Sequence, residues 1–146
     1  MRLELKIKDT TKDMWFEALK EGPPMKNVSE KKVVKQEGPN SKVIYLRVSV
    51  PIMSDREQLV HWQRIDLNEK ESILLLQSIL MDEYPITANI VRAQMFKCML
   101  IRQDDENPKD LRVSDVSNFN MKGYMPARLM NMAMTTMFSK GLGEII

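Results

Sequence analysis

Acid–base catalysis is the chemistry that the residue types of this sequence come nearest to supporting. His61 is the single histidine, and alternation along a predicted strand places it on one face with Glu57 and Gln63. Asp115 is a further acid, in the middle of a later predicted strand. A pocket lined by His61 or Asp115 and a suitable partner would hold an acid–base pair. A lone histidine with no cysteine or other nucleophile near it is a weak indication of catalysis, so we assign no catalytic residue and predict that the protein is not an enzyme.

The sequence also argues against a metal or cofactor site. With one histidine, a multi-histidine metal centre is excluded, and the single Cys98 excludes both a cysteine-based zinc site and an internal disulfide framework. Asp104, Asp105 and Glu106 are consecutive acids, but their spacing does not match a calcium loop. We interpret them as part of a solvated hairpin connection and predict neither a metal nor a cofactor.

Composition indicates an ordinary globular protein of one domain. The 146 residues are 43% hydrophobic and 29% charged, and the net charge of +2 gives no basic field for nucleic acid. Trp15 and Trp62 lack the interleaved basic residues of a base-stacking surface, so we predict no nucleic-acid partner. No apolar run approaches the roughly 20 residues of a membrane span, and the first nine residues do not form a signal peptide. We therefore expect a cytoplasmic protein.

Methionine is the compositional outlier. The chain has thirteen methionines, and six of them fall between positions 121 and 137. Methionine is flexible and polarizable, and it suits a surface that adapts to an irregular apolar partner. The alternative interpretation is a softly packed core.

Periodicity predicts one strand, one helix, six further strands and a long final helix. Leu3, Leu5 and Ile7 alternate with charged residues, as in a half-buried strand. The helix that follows is capped by Asp9 or Thr10 and stops before residues 22–24 (Gly-Pro-Pro). The six later strands are predicted at 33–34, 43–50, 57–66, 72–80, 90–101 and 111–119, and the final helix at 126–140.

These elements predict an α+β protein with a helix-grip fold. Strands joined by short turns form an antiparallel meander, with 72–80 near its centre. A strongly twisted sheet of that size curls, and the final helix then buries its apolar side inside the curl. We predict a curved antiparallel sheet of about seven strands wrapped around a long C-terminal helix, in a single domain over residues 1–146.

Polar residues within the predicted strands leave alternatives open. If Arg92 points inward, it needs a carboxylate or a lipid headgroup, because an unpaired buried charge is expensive; if outward, it is solvated. Asp115 and Ser117 share one side of the last strand with apolar residues, while Arg112, Ser114, Val116 and Asn118 form the other. Either side is able to supply the few polar groups of an apolar pocket, or both groups of polar residues face water.

Three segments, in a characteristic order, carry a family resemblance. Residues 45–57 form a strand followed by Pro51 and Arg56-Glu57. Residues 78–93 hold a Ser, a Pro and then Val-Arg-Ala. Residues 120–131 read Asn-x-Lys-Gly-x-x-Pro followed by Leu-Met-Asn. Over nearly its whole length the chain resembles the START (steroidogenic acute regulatory protein-related lipid transfer) domain, of the birch-pollen-allergen-like helix-grip superfamily.

The sequence departs from the family pattern in several places. Glu57 and Asn120 stand where aspartate is usual, and a common Trp-Asp pair has no counterpart around 24–27. We expect that the family's N-terminal helix and first two strands are lacking, or that the chain is a fragment of a longer protein. Lysines 6, 8, 31, 32 and 35 would suit the sheet edge that such a loss exposes.

The resemblance implies a non-enzymatic lipid carrier. It implies one lipid or sterol in a cavity between sheet and final helix, transfer through transient contact with a membrane surface, an entrance bordered by 81–89 and 126–140, and a structural role for Arg56. The alternatives are a cyclase- or hydratase-like enzyme of the same superfamily and a ligand-free protein-interaction domain. The predicted lipid contacts are Leu129, Met130, Ala133, Met134, Met137, Phe138, Arg92 and Tyr84. The identity of the lipid and the oligomeric state stay open.

Overall fold

A computed structural model of the protein describes residues 1–20, 27–129 and Asn131. Within these residues a single sheet of eight strands is accompanied by one helix of two turns and by the first residues of a final helix. The elements are β1 (Arg2–Ile7), α1 (Lys12–Leu19), β2 (Val28–Gln36), β3 (Ser41–Val48), β4 (Arg56–Asp66), β5 (Glu71–Ser78), β6 (Val91–Arg92), β7 (Gln94–Gln103) and β8 (Leu111–Asn120).

The strands run in the order β1-β8-β7-β5-β4-β3-β2, and all neighbours on this path are antiparallel. The predicted antiparallel meander is therefore confirmed from β2 to β8, with β5 in the middle of the path. The first strand pairs with the last, so that Leu5 lies opposite Val113. In the described sheet, β1 and β2 are the two edges.

The predicted continuous strand at 90–101 is wrong, because the chain changes partner at Ala93. Val91 and Arg92 pair in parallel with the start of β4, and the fully buried Ala93 donates its N–H to the carbonyl of Glu57 at 2.9 Å. β7 then continues beside β5. β5 ends at Ser78, opposite Val60, which leaves the first residues of β4 open to this second partner. The break raises the strand number from the predicted seven to eight.

The strand predicted at 33–34 is much longer in the structure. β2 covers nine residues and is exposed at most of them, including three lysines. Charged side chains on both sides of an edge strand hide the alternation from which strands are predicted.

The cap of α1 also differs from the prediction. The side chain of Thr11, rather than of Asp9 or Thr10, accepts the N–H of Met14 at 3.3 Å, as an N-cap residue does. The helix turns Trp15 and Phe16 into the core.

Two apolar clusters lie on opposite faces of the sheet. On the first, here called the α1 face, Trp15 and Phe16 pack against a large cluster that includes Trp62 and Ile101. The other face, here called the loop face, carries a smaller cluster covered by the segment between β5 and β6. The members of this smaller cluster are Val43, Tyr45 and Leu59, with Val34, Ile79, Met81 and Tyr84 against them.

The final helix is described only where it begins. Residues 127–129 and Asn131 are helical, and the N–H of Leu129 bonds to the carbonyl of Pro126 at 2.9 Å. The remainder of the helix predicted at 126–140 lies outside the described residues. No helix of the described residues is long and apolar enough to cross a lipid bilayer.

Candidate functional site

Three connecting segments meet at one end of the sheet. Antiparallel pairing brings the end of β3, the start of β4, the end of β5 and the end of β8 together, away from α1. Segments 49–55, 79–90 and 121–126 therefore lie side by side, and we call this the loop end. The N–H of Val91 bonds to the carbonyl of Asp55 at 3.1 Å across it.

Arg56 joins two of these segments. Its side chain is buried, and its guanidinium donates to the carbonyls of Met121 at 3.0 Å, Lys122 at 3.3 Å and Ser54. Among the described ion pairs none involves Arg56, so backbone oxygens rather than a carboxylate accept its donors. These contacts agree with the structural role that the resemblance implied.

A tight turn follows β8. Lys122 and Gly123 both have positive φ, at 53° and 68°, and the side-chain oxygen of Asn120 accepts the N–H of Lys122 at 3.0 Å. A Cβ on Gly123 would lie 3.5 Å from the side chain of Val91, which is ordinary contact. Backbone conformation rather than space is therefore what favours glycine. The asparagine keeps the acceptor that an aspartate would supply.

Glu57 is the centre of a buried network on the loop face. Its carboxylate accepts from the hydroxyl of Tyr45 at 2.9 Å, from both the N–H and the hydroxyl of Thr87, and from the guanidinium of Arg92 at 3.0 Å. Burial alone would raise the pKa of Glu57, but these hydrogen bonds outweigh it and hold the pKa below its usual value.

Arg92 and Tyr84 lie on this loop face. Arg92 also donates to the carbonyls of Tyr84 and Pro85, both at 3.2 Å, and the ring of Tyr84 packs 6.3 Å from that of Tyr45. The side chain of Arg92 is therefore buried rather than solvated, and Glu57 supplies the carboxylate that a buried Arg92 was predicted to need. Contact of Arg92 and Tyr84 with a lipid stays a prediction.

The last strand turns its acidic side inward. Asp115 and Ser117 are buried together with Leu111 and Val113, whereas alternate residues from Arg112 to Asn118 are more exposed. The carboxylate of Asp115 pairs with the ammonium of Lys97 at 2.9 Å. By strand alternation, this group lies on the α1 face, beyond the apolar cluster and towards the loop end.

Lys97 is a residue of this group that was not predicted from the sequence. The sequence did contain a signal, because Lys97 lies on the same side of its strand as Met95, Met99 and Ile101. A lysine on an otherwise apolar side of a strand needs a partner. Its partner could not be read from the sequence, since the register of β7 and β8 decides which acid it meets.

His61 and Asp115 do not form an acid–base pair. His61 shares the loop face with Leu59, while Asp115 lies on the α1 face. The Nε2 atom of His61 lies 2.8 Å from the hydroxyl of Ser41 and 3.0 Å from the carboxylate of Glu37. Both contacts use the same ring nitrogen, so they do not relay a proton through the ring.

The acidic connection after β7 is structural, and its interpretation as solvated is wrong for Asp104. Asp104 is 2% exposed. It accepts the N–H groups of Glu106 and Asn107 and pairs with Arg112 at 2.7 Å and Lys6 at 3.2 Å. The hydrogen bond with Arg112 is the main reason that the pKa of Asp104 lies well below its usual value. In the described part of the chain, no three His, Cys, Asp or Glu residues are grouped to hold a metal ion.

The predicted contacts on the final helix are only partly described. Leu129 is half-buried in its first turn, and Met130, Ala133, Met134, Met137 and Phe138 lie outside the described residues. Of the clefts among described residues, one of about 230 Å³ is lined by Phe16, Trp62 and neighbours beside α1. Another, of about 490 Å³, lies at the polar β4–β5 turn. Neither contains a predicted lipid contact.

Comparison with known proteins gives a consistent family assignment. The START domain family model matches residues 1–144. Among solved structures, human STARD10 is similar with a TM-score of 0.79 and 18% identity, over 99% of this chain and 60% of that one. Human StAR-related lipid transfer protein 5 gives 0.77 and 12%, over 99% and 72%.

A bacterial structure shares the fold as well. The STAR-related lipid transfer protein from Xanthomonas axonopodis gives a TM-score of 0.68 at 17% identity, over 91% of this chain and 75% of that one. A comparison with curated protein sequences gives no significant match. This chain spans about 60% of the length of STARD10.

Proposed function

Because the chain belongs to the START domain family, we propose that it binds one lipid or sterol molecule and carries it between membranes without catalysing a reaction. The match of the family model across residues 1–144 is the observation that carries this proposal. In this proposal residues 1–146 act as one domain, in the cytoplasm.

The α1 face towards the loop end is the proposed wall of the cavity. The apolar cluster around α1 continues in that direction through Leu46 and Leu76. The buried Val60, on the strand between theirs, lies diagonal to both on the same face. Met95 and Phe119 lie opposite each other further along. An apolar wall with a few polar groups is typical of a ligand site.

The final helix is the proposed lid over this wall. Leu129 begins it, and we propose that Leu129, Met130, Ala133, Met134, Met137 and Phe138 contact the lipid tail. Tyr84, within segment 81–89, and Arg92, which bonds to its carbonyl, would act at the entrance. Arg56 supports the lid indirectly, since its bonds to Met121 and Lys122 hold the start of the connection to the helix.

The loop end is the proposed contact with a membrane. Ile52, Leu80, Ile86 and Tyr124 belong to its three segments, and their exposed fractions are 99%, 81%, 58% and 86%. Large apolar side chains grouped on exposed segments are typical of a surface that contacts an apolar partner. A carrier that docks this end would bring its entrance to the bilayer.

Lipid binding is tested first on purified protein. We expect native mass spectrometry to reveal a co-purified lipid, and the delipidated protein to take up fluorescent lipid from vesicles. Protein that is consistently empty and takes up no lipid would contradict the proposal and favour the ligand-free interaction domain.

A pair of variants in the first turn of the final helix sharpens the test. Leu129→Glu places a charge at a half-buried position, while Ala127→Glu places the same charge at an exposed one. We expect Leu129→Glu to reduce lipid uptake at least tenfold, since a buried unpaired charge opposes the apolar ligand, and Ala127→Glu to retain it. Equal lipid uptake by both variants would show that Leu129 is not part of the lipid-binding site.

A further inference from the structure

We propose that Lys97, Asp115 and Ser117 form a headgroup subsite for an uncharged lipid that carries a free hydroxyl group. This inference rests on the proposed lipid-binding function and adds the chemical class of the ligand. We call the three residues the polar triplet.

The polar triplet is assembled by the pairing of β7 and β8. Lys97 lies directly opposite Ser117, and Asp115 is two residues away from Ser117 on the same face. Directly opposed residues of antiparallel strands have Cβ atoms about 5 Å apart, and residues two apart on a strand are separated by about 7 Å. One small polar group is therefore able to reach all three side chains.

Two atoms of the triplet lack hydrogen-bond partners within the described part of the chain. Oδ1 of Asp115 and Oγ of Ser117 are both buried and unpaired, although the residues are only 5% and 9% exposed. The other carboxylate oxygen of Asp115 is bound to Lys97 at 2.9 Å. Buried polar atoms are nearly always satisfied, so two orphaned atoms side by side mark a place where another molecule bonds.

The unpaired atoms determine what that molecule must offer. A carboxylate oxygen only accepts, so the ligand must supply a donor, and the serine hydroxyl accepts or donates. A lipid hydroxyl would donate to Asp115 and accept from Ser117 or Lys97. An ester or a keto oxygen would leave Asp115 unsatisfied.

The charge of the triplet favours an uncharged headgroup. The ion pair of Lys97 and Asp115 is neutral as a unit, so the pair offers no net attraction to a phosphate or to a choline group. The ammonium of Met1, which also lies at the triplet, is bound to the carbonyl of Ser117 at 2.7 Å. A phosphate at this place would meet the carboxylate of Asp115, and a choline cation would meet the ammonium of Lys97, and each of these contacts brings like charges together.

The neighbours of the triplet on the same face are apolar. Asp115 lies between Leu3 of β1 and Met99 of β7 in register, and Met99 belongs to the large cluster. Sterols and diacylglycerols share the required chemistry, a single hydroxyl on an otherwise apolar body.

The test compares lipids that differ only in this hydroxyl. The full chain is equilibrated with vesicles of dioleoyl phosphatidylcholine containing cholesterol, cholesteryl methyl ether, dioleoylglycerol or trioleoylglycerol, and bound lipid is counted by mass spectrometry. We expect at least tenfold preference for one hydroxyl lipid over its capped analogue, equivalent to about 1.4 kcal/mol. Comparing vesicles that contain cholesterol with vesicles that contain dioleoylglycerol shows whether the preferred hydroxyl lipid is a sterol or a diacylglycerol.

Variants then assign the preference to the triplet. Lys97→Met combined with Asp115→Leu removes the ion pair without leaving a buried charge, which proteins tolerate well. We expect this double variant to bind the hydroxyl lipid and its capped analogue within about threefold of each other, and Ser117→Ala to reduce the preference in part. Ser114→Ala, on the other side of β8, is the matched control and should keep the wild-type ratio.

Each outcome bears on one claim. Equal binding of hydroxyl and capped lipids by the wild type, preference for phosphatidylcholine itself, or an unchanged ratio in the double variant overturns the subsite and leaves lipid binding intact. Failure to take up any lipid of the panel contradicts the proposed function, and the subsite with it. If the double variant does not fold, Ser117→Ala tests the subsite instead, and an unchanged preference in this variant would also overturn the subsite.

Discussion

Two adjacent buried charges at the loop end are satisfied in different ways. Arg56 and Glu57 are both at most 1% exposed and point to opposite faces of β4. Glu57 has a charged partner in Arg92, whereas Arg56 bonds to three backbone carbonyls. Removing either side chain leaves buried groups unpaired, and the cost of that is what single substitutions measure.

Replacement of Arg56 should weaken the whole domain. Arg56→Met keeps most of the side-chain volume but removes the donors to Met121, Lys122 and Ser54. We expect the free energy of unfolding in urea to fall by about 2–4 kcal/mol. Arg47→Met is the control, because Arg47 and Asp55 form a partly exposed ion pair that contributes at most about 1 kcal/mol. Similar losses in the two variants would contradict the role given to Arg56.

Glu57 should make stability depend on acid pH. Because hydrogen bonds hold its pKa below the usual value in the folded protein, its stabilisation is complete above the unfolded pKa of about 4.3 and is lost as pH falls through the folded pKa. We expect Glu57→Gln to be less stable than wild type at pH 7, and the difference to shrink below about pH 4.

Urea unfolding at several pH values measures this difference. Glu4→Gln, which changes an exposed glutamate in an exposed ion pair, serves as the control and should lose little stability at pH 7, because exposed pairs contribute little. A gap between wild type and Glu57→Gln that does not change between pH 7 and pH 3 would argue against the network.

At the level of elements, strands with alternating apolar and polar residues could be predicted from the sequence. The strands with which they pair could not. The alternation of β4 and β8 located both strands to within a residue or two. The same pattern could not tell which side of β8 faces inward, since each side mixes polar and apolar residues. Arg92 has its carboxylate 35 residues earlier in the chain, and the division of 90–101 into β6 and β7 depends on where β5 ends. Both are set by pairing across the sheet.

Strand β2 should keep the sheet from pairing with other copies. It forms one edge of the described sheet, and Lys31 and Lys35 are exposed on it. Charged residues on an edge oppose edge-to-edge association. We expect Lys31→Val with Lys35→Val to raise the sedimentation coefficient as concentration rises. Lys70→Val, in the exposed β4–β5 turn, should leave it unchanged, and monomeric behaviour of the double variant would count against this role.

At the scale of the whole molecule, exposed apolar residues at the two ends allow a direct comparison. If the loop end docks on a membrane as proposed, each of Ile52, Leu80, Ile86 and Tyr124 would bury apolar area in the bilayer. Replacing all four by serine should then weaken vesicle binding in co-sedimentation about tenfold or more. Ile65 and Leu67 are 42% and 51% exposed near the β4–β5 turn, at the end of the sheet opposite the loop end. The control replaces both of them by serine. If the control loses as much binding as the loop-end variant, the docking end is assigned wrongly.

The pairing of β1 with β8 has a consequence for synthesis. Residues 2–7 find their hydrogen-bond partners only at 111–116, more than a hundred positions later. On the ribosome, the first strand must therefore wait until nearly all of the described chain has emerged before it is paired. Contacts this distant in sequence slow folding, and over this interval the backbone N–H and C=O groups of β1 stay without their partners on β8.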